Sequence, residues 1–310
     1  MHRYILKRLV FMIPVLLAVI FIVFAIMSLT PGDPGRIILG STASRENVAR
    51  LNTEFGYDKP FPIRFIDYVM GIVTRLDFGK SYRTRQPVFN EIAARFPTTL
   101  KLAALSIVLS SAIGVFLGIM SAIRQYSLLD TFSTILALFF ASIPGFWFGM
   151  MMIIYFALVL RWLPSFGVSS WKGFVLPTVT MSLSSMAGLL RLTRSTMLET
   201  IRQDYIRTAR AKGAPEKTVI WKHALKNALL PVVTVLGMNF GTMLGGTIIT
   251  ETVFAIPGLG TCIVEAIRMK DIPVVLGATV VLSTLFCLIM LAVDILYAFI
   301  DPRVRAKYVG

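Results

Sequence analysis

Residues 204–231 read DYIRTARAKGAPEKTVIWKHALKNALLP, a basic, helix-forming segment between two stretches apolar enough to cross a bilayer. That placement decides the fold class. A compact basic loop between hydrophobic runs belongs to a polytopic helical membrane protein, and its exposure on one membrane face implies a docked partner or lipid phosphate. At Gly213-Ala214-Pro215 the pattern stops and restarts. Glycine suits the left-handed position that ends one helix, and proline suits the first turn of the next, so the loop is predicted to be a helix–turn–helix pair. Val219, Ile220, Ala224 and Leu225 recur on one side of the second helix, and Lys217, Lys222 and Lys226 lie mostly elsewhere around it.

Working outward, six runs reach spanning length, about 9–30, 98–123, 131–160, 176–193, 229–250 and 276–300. Apolar residues make up 56% of the 310 and charged residues 15%; with a mean hydropathy of +0.75, this excludes an ordinary soluble domain. A net charge of +15 would suggest nucleic acid in a soluble protein. Here the basic residues gather at the ends of apolar runs: before the first (Arg3, Lys7, Arg8), between the fourth and fifth (Arg191 to Lys226), and after the sixth (Arg303, Arg305, Lys307). An even number of spans puts all three on one side, so both termini and the loop 194–228 are expected in the cytoplasm. The first run is longer than a signal-peptide core and has no clear small-residue cleavage site, so it is expected to be retained.

Residues 31–97 are predicted to form a small extracytoplasmic helical region. Ser44 can cap a helix bearing Val48, Leu51 and Phe55 that stops at Gly56. A second helix after Pro60 and Pro62 shows Ile63, Ile66, Val69, Met70 and Val73 on one face. The region reads either as a cap or as a docking surface for an outside partner. The organisation expected is thus 1–30, an N-terminus and first span; 31–97; 98–300, a five-helix core; and 301–310, a cytoplasmic tail.

Chemistry-bearing motifs are few. Asp77-Phe78-Gly79 lacks every other kinase segment, and no G-x-x-x-x-G-K-[ST] occurs, so any ATP that drives the protein binds elsewhere. Cys262 and Cys287 have no metal spacing and are not expected to pair; His2 and His223 are isolated. Asp294 is the acidic residue noted well inside a predicted span, near its cytoplasmic end, where basic residues such as Arg303 can pair with it. No metal site and no covalent chemistry are expected. Glycines recur every four residues at Gly114/Gly118, Gly145/Gly149 and Gly237/Gly241/Gly245, the spacing that lets helices approach closely. In the fifth run they alternate with Asn239, Thr242 and Thr247, which leaves packing within the chain, a subunit interface and a pore lining all open.

Together these segments resemble permease subunits of the ATP-binding-cassette importers for peptides and nickel, the dipeptide and oligopeptide branch. The likeness runs nearly end to end: Leu29-Thr30-Pro31-Gly32-Asp33-Pro34, Leu76 to Ser81 (LDFGKS), Tyr205 to Gly213 (YIRTARAKG), His223 to Ala228 (HALKNA), Pro257-Gly258-Leu259-Gly260, Val293 to Tyr297 (VDILY) and Asp301-Pro302-Arg303. Against the broader importer pattern E-A-A-x-x-x-G, the chain has Arg207, Thr208, Ala209 and Gly213, matching only at the second Ala and the Gly.

The resemblance implies an all-α, six-span subunit of a bacterial or archaeal cytoplasmic membrane, non-catalytic itself. It further implies a second homologous permease, two cytoplasmic ATPases that bind ATP and Mg, and an extracytoplasmic solute-binding protein. Thr208, Ala209, Lys212, Gly213, Ala214, Pro215 and Glu216 are then expected to couple to an ATPase. Asn239, Thr242, Gly237, Gly241 and Gly245 are expected at the translocation path or the permease interface. Dipeptides or oligopeptides are the implied cargo, with nickel or a chelate, glutathione and oligosaccharide as alternatives. An ion-coupled secondary transporter is the more distant reading, since Asp294 alone offers an intramembrane titratable group and no repeat is visible.

Overall fold

The computed structural model describes residues 2–30 and 32–300, with side chains described from 5 to 296. The expected tail 301–310, with Arg303, Arg305 and Lys307, lies outside the described residues, as do Pro31 and the side chain of Tyr297. Among the described residues the chain is helical, and its extended pairing is a single bridge between Lys80 and Pro87.

The first span is α1 (His2–Leu29). Three short helices follow: α2 (Pro34–Leu39), α3 (Arg45–Glu54) and α4 (Phe61–Arg75). As expected, Ser44 caps α3, its hydroxyl accepting from the Asn47 amide, and Gly56 is left-handed just beyond the end. The packing face of α4 differs from the periodic reading. Ile63, Ile66, Met70 and Val73 are exposed, while Phe61, Phe65, Tyr68, Val69 and Ile72 pack on the core beside α1. The helix is apolar on both sides, so period alone did not identify its buried face.

The core follows as α5 (Val88–Ile123), α6 (Leu128–Ser142), α7 (Gly145–Met152), α8 (Val175–Ile201), α9 (Asp204–Ala211), α10 (Glu216–Thr218), α11 (Leu225–Val253), α12 (Leu259–Arg268) and α13 (Ile272–Ile300). Among the described residues five helices are long and apolar enough to cross a membrane. The third predicted run is not one rod: α6 and the stretch Gly145–Val159 meet at 99°. Pro144 causes this, because it holds Ile143 extended (φ −84°, ψ 127°) and opens the next helix. Two predicted spans start too late. Pro97 and Pro231 sit inside α5 and α11 without ending them, and one continuous helix runs from Glu216 to Val253 through a π-helical turn, Val219–Ala224.

Small residues draw α5 and α8 together. A Cβ on Gly114 would sit 2.7 Å from the Met186 carbonyl oxygen, and one on Gly118 would sit 2.7 Å from that of Leu190. At the end of the bundle that carries the 204–226 loop, the α5–α6 junction is locked by Asp130, 4% exposed. Its carboxylate accepts from Arg194 of α8 (Nε 2.6 Å, Nη2 2.9 Å), from the Tyr126 amide (2.9 Å) and from Ser121. Asp130 precedes the apolar run and so does not stand out in the sequence as a charge within a span. Its signature, Ser127-x-x-Asp130, is nevertheless a helix-start motif, and the Ser127 hydroxyl does accept from the Asp130 amide.

Candidate functional site

The loop quoted first folds as expected, into two helices hinged at Gly213. The Gly213 amide donates to the Arg210 carbonyl (2.9 Å), and the Ala214 amide to that of Ala209 (3.2 Å). With Gly213 at φ +79°, these bonds make a complete Schellman motif. Arg210 and Glu216 join the two arms by a bidentate pair, Nε–Oε2 3.0 Å and Nη2–Oε1 2.6 Å. On the inner side, Ile206, Val219, Ile220, Ala224 and Ala228 are buried against Ile119 and Ala122 of α5 and Met197 of α8, with Ala209 and Ala214 packed partly against them. On the outer side Thr208, Lys212, Gly213, Pro215 and Glu216 are exposed. Lys217, Lys222 and Lys226 are exposed too. The element is therefore held rigidly from within and free from without.

The second arm continues into the span that carries Asn239 and Thr242. Both line an open groove of about 660 Å³ between α7, α8 and α11. Asn239 Nδ2 donates to Ser185 Oγ (2.9 Å), and Thr242 Oγ1 donates to the Asn239 carbonyl (3.0 Å). Ser184, Thr180 and Thr250 add hydroxyls, and the lining has no charged side chain. The Thr180 hydroxyl is buried without a hydrogen-bond partner among the described residues. Of the glycine stripe, Gly237 and Gly241 turn away from the groove and pack within the chain. Added Cβ atoms there would collide with Val293 (1.9 Å) and Phe286 (2.5 Å) of α13, whereas Gly245 faces open space. Sequence reasoning did not single out Ser185, since a serine in an apolar run carries no periodic signal.

At the other end of the bundle, the segments that carried the resemblance converge. Lys270, 3% exposed, donates to the Thr30 carbonyl (2.6 Å) and to that of Gly32. Its neighbour Asp271, also buried, accepts from Ser81 Oγ (2.5 Å) and from the amides of Tyr82 (3.0 Å) and Arg83 (3.3 Å). Burial and the Asp271 charge push the Tyr82 phenol above its ordinary range. Glu251, fully buried near the end of α11, accepts from Thr99 Oγ1 (2.6 Å) and from the Thr261 amide (3.0 Å). Thr99 Oγ1 in turn accepts from the Leu259 amide (2.8 Å). Glycines 258 and 260 are required by closeness, for added Cβ atoms would lie 2.3 Å and 2.8 Å from Glu251 carboxylate oxygens. Asp294, expected to meet a residue such as Arg303, pairs with Arg8 of α1 at 3.1 Å. Cys262 and Cys287 are both free thiols, and burial raises the Cys262 pKa.

Comparison with known proteins gives the family. Residues 114–306 match the family described as binding-protein-dependent transport system inner membrane component, and residues 1–103 match the N-terminal family of the same membrane components. The chain belongs to this permease family. Relatives include the glutathione transport system permease protein GsiC of Salmonella typhimurium strain LT2 and that of Escherichia coli strain K12. Each is 40% identical over 307 residues, covering 99% of this chain and all of the relative. The permease also shares its fold with an inward-facing MetNI methionine ABC transporter chain: TM-score 0.55, 20% identity, 68% of this chain and 96% of that one. A chain of an amino acid ABC transporter solved with histidines gives a TM-score of 0.52 at 14% identity, covering 69% and 94%. The permease is thus a multi-pass inner-membrane subunit of an ABC importer, of the peptide and nickel branch.

Proposed function

We propose that this permease forms half of the translocation path for short peptides, glutathione among them, with Gly213 and its flanking helices as the coupling element. The carrying observation is continuity: one helix from Glu216 to Val253 starts directly after the exposed turn and carries the groove-lining Asn239 and Thr242. At 1.5 Å per residue the two lie about 35 Å apart along a single rod. A partner that tilts the turn therefore moves the groove wall, which is the differential contact that coupling demands. In this reading ATP binding closes two cytoplasmic ATPases on the 204–226 helices, and the groove, paired with that of a second permease, opens toward a solute-binding protein. Both termini and 194–228 lie inside, and 31–97 outside.

The groove's hydroxyls and amide hydrogen-bond a peptide backbone without selecting among side chains, and leave specificity to the binding protein. The glutathione permeases among the relatives support a small peptide as cargo. Uptake of labelled glutathione and dipeptides into proteoliposomes holding the complete complex tests this. ATP-dependent accumulation of at least one is expected; uptake of nickel alone would refute it.

A further inference from the structure

A second face of the bundle, made by α1, α4 and α13, carries two adjoining cavities that the transport reading does not use. The first, about 490 Å³, is an apolar groove walled by Ile13 and Leu17 of α1, Val73 of α4, Phe96 of α5 and Val281 and Leu288 of α13. The second, about 450 Å³, lies at the ends of α1 and α13 that border residues 31–97, and Phe78 lines both. Helix α4 also links them. Phe61 and Phe65 pack on Phe21 and Phe24, while Val69, Ile72 and Val73 share the groove with Ile13 to Ile20. It therefore descends along α1 into the level of the spans.

The upper cavity is basic. Lys59, Arg64, Lys80 and Arg85 line it with two carboxylates, Glu54 and Asp67. Both carboxylates are already engaged, Glu54 with Arg85 (2.8 Å) and Asp67 with Lys59 (2.9 Å), which leaves two positive charges in excess. The Arg64 guanidinium lies over the Tyr57 ring (4.5 Å), and its Nε is buried without a hydrogen-bond partner among the described residues. The Tyr68 hydroxyl is also buried and unpartnered among the described residues, its pKa driven up by burial and then by nearby Asp77. Asp77 itself accepts from the Gly79 amide. Orphaned donors of this kind need an acceptor. The chemistry that satisfies an excess of cations, two idle donors and an adjoining apolar groove at bilayer depth is an anionic head on an acyl chain.

We propose that this face binds one anionic phospholipid from the leaflet bordering residues 31–97. Its phosphate sits among Arg64, Tyr68 and Lys80, and an acyl chain lies in the groove between α1, α4 and α13. The site is independent of the coupling and cargo assignments. The test uses the full-length chain extracted with its native subunits, washed free of lipid, and titrated separately with phosphatidylglycerol and phosphatidylcholine of matched chains under native mass spectrometry. One phosphatidylglycerol per chain is expected to bind at concentrations that leave phosphatidylcholine off. Lys80→Gln, on an exposed side chain, should weaken it about fivefold, and Arg64→Gln with Lys80→Gln about twenty-fivefold. Val73→Trp, at an exposed groove wall, should weaken it with every cation in place. Equal binding of the two lipids, or unchanged selectivity in Lys80→Gln, would reduce the site to ordinary bilayer contact and overturn the proposal. Full displacement by inorganic phosphate, with Val73→Trp silent, would make it a free-anion site and overturn it equally.

Discussion

Replacing Gly213 with valine tests the coupling role proposed for its turn. The backbone there has φ +79°, and a Cβ would meet no atom within 4 Å, so the substitution introduces strain without a clash. A left-handed L-residue costs about 1–2 kcal/mol, more for a β-branched one. That cost shifts the population of the native turn relative to a relaxed one by a factor of about 5–30. The relaxed turn gives up the Gly213–Arg210 and Ala214–Ala209 bonds and re-aims the helix that begins at Glu216. The inner contacts of Ile206, Val219 and Ala224 lie away from the substituted atom, so folding and membrane insertion are expected to persist. In nanodiscs the variant complex should lose ATPase subunits, or hydrolyse ATP without moving peptide. Asparagine, which tolerates the left-handed region, should restore most activity. The reasoning is refuted if Gly213→Val retains ATPase stoichiometry, substrate-stimulated hydrolysis and transport.

Three further outcomes are expected. Asp130→Ala leaves the partly buried Arg194 without its partner and should cost about 3 kcal/mol, seen as a lowered unfolding temperature in detergent; an unchanged temperature would contradict the lock between α6 and α8. Asn239→Leu and Thr242→Leu fill the groove and should reduce transport with subunit assembly intact, and full transport would remove both from the path. In a background lacking Cys262 and Cys287, exposed Lys217→Cys should resist an impermeant thiol reagent on spheroplasts and exposed Ala49→Cys should react, the opposite pattern reversing the topology.

The spans, the capped α3 and the hinge at Gly213 were legible because each rests on local chemistry: a long apolar run, Ser44, and a Gly-Ala-Pro break. The bend at Pro144 was present in the sequence but hidden within a continuous apolar run. Pro97 and Pro231 show the converse, since tertiary packing carries their helices through. Glu251, Lys270 and Asp271 were not legible as a site, because their partners, Thr99, Thr30 and Ser81, lie 152, 240 and 190 residues away. Only folding brings such pairs together. The groove was half legible: Asn239 and Thr242 stood out as polar residues in a span, while Gly237 and Gly241 pack against Val293 and Phe286 and Gly245 faces open space.

The junction at Lys270 and Asp271 also bears on how the importer moves. Two neighbouring buried charges hold separate stretches of the first hundred residues, one through main-chain carbonyls and the other through a hydroxyl and amides. Lifting that region off the bundle would strip both charges of their partners together, a penalty of several kcal/mol for each ion. Residues 31–97 are therefore fastened to the start of the last span rather than hinged over it.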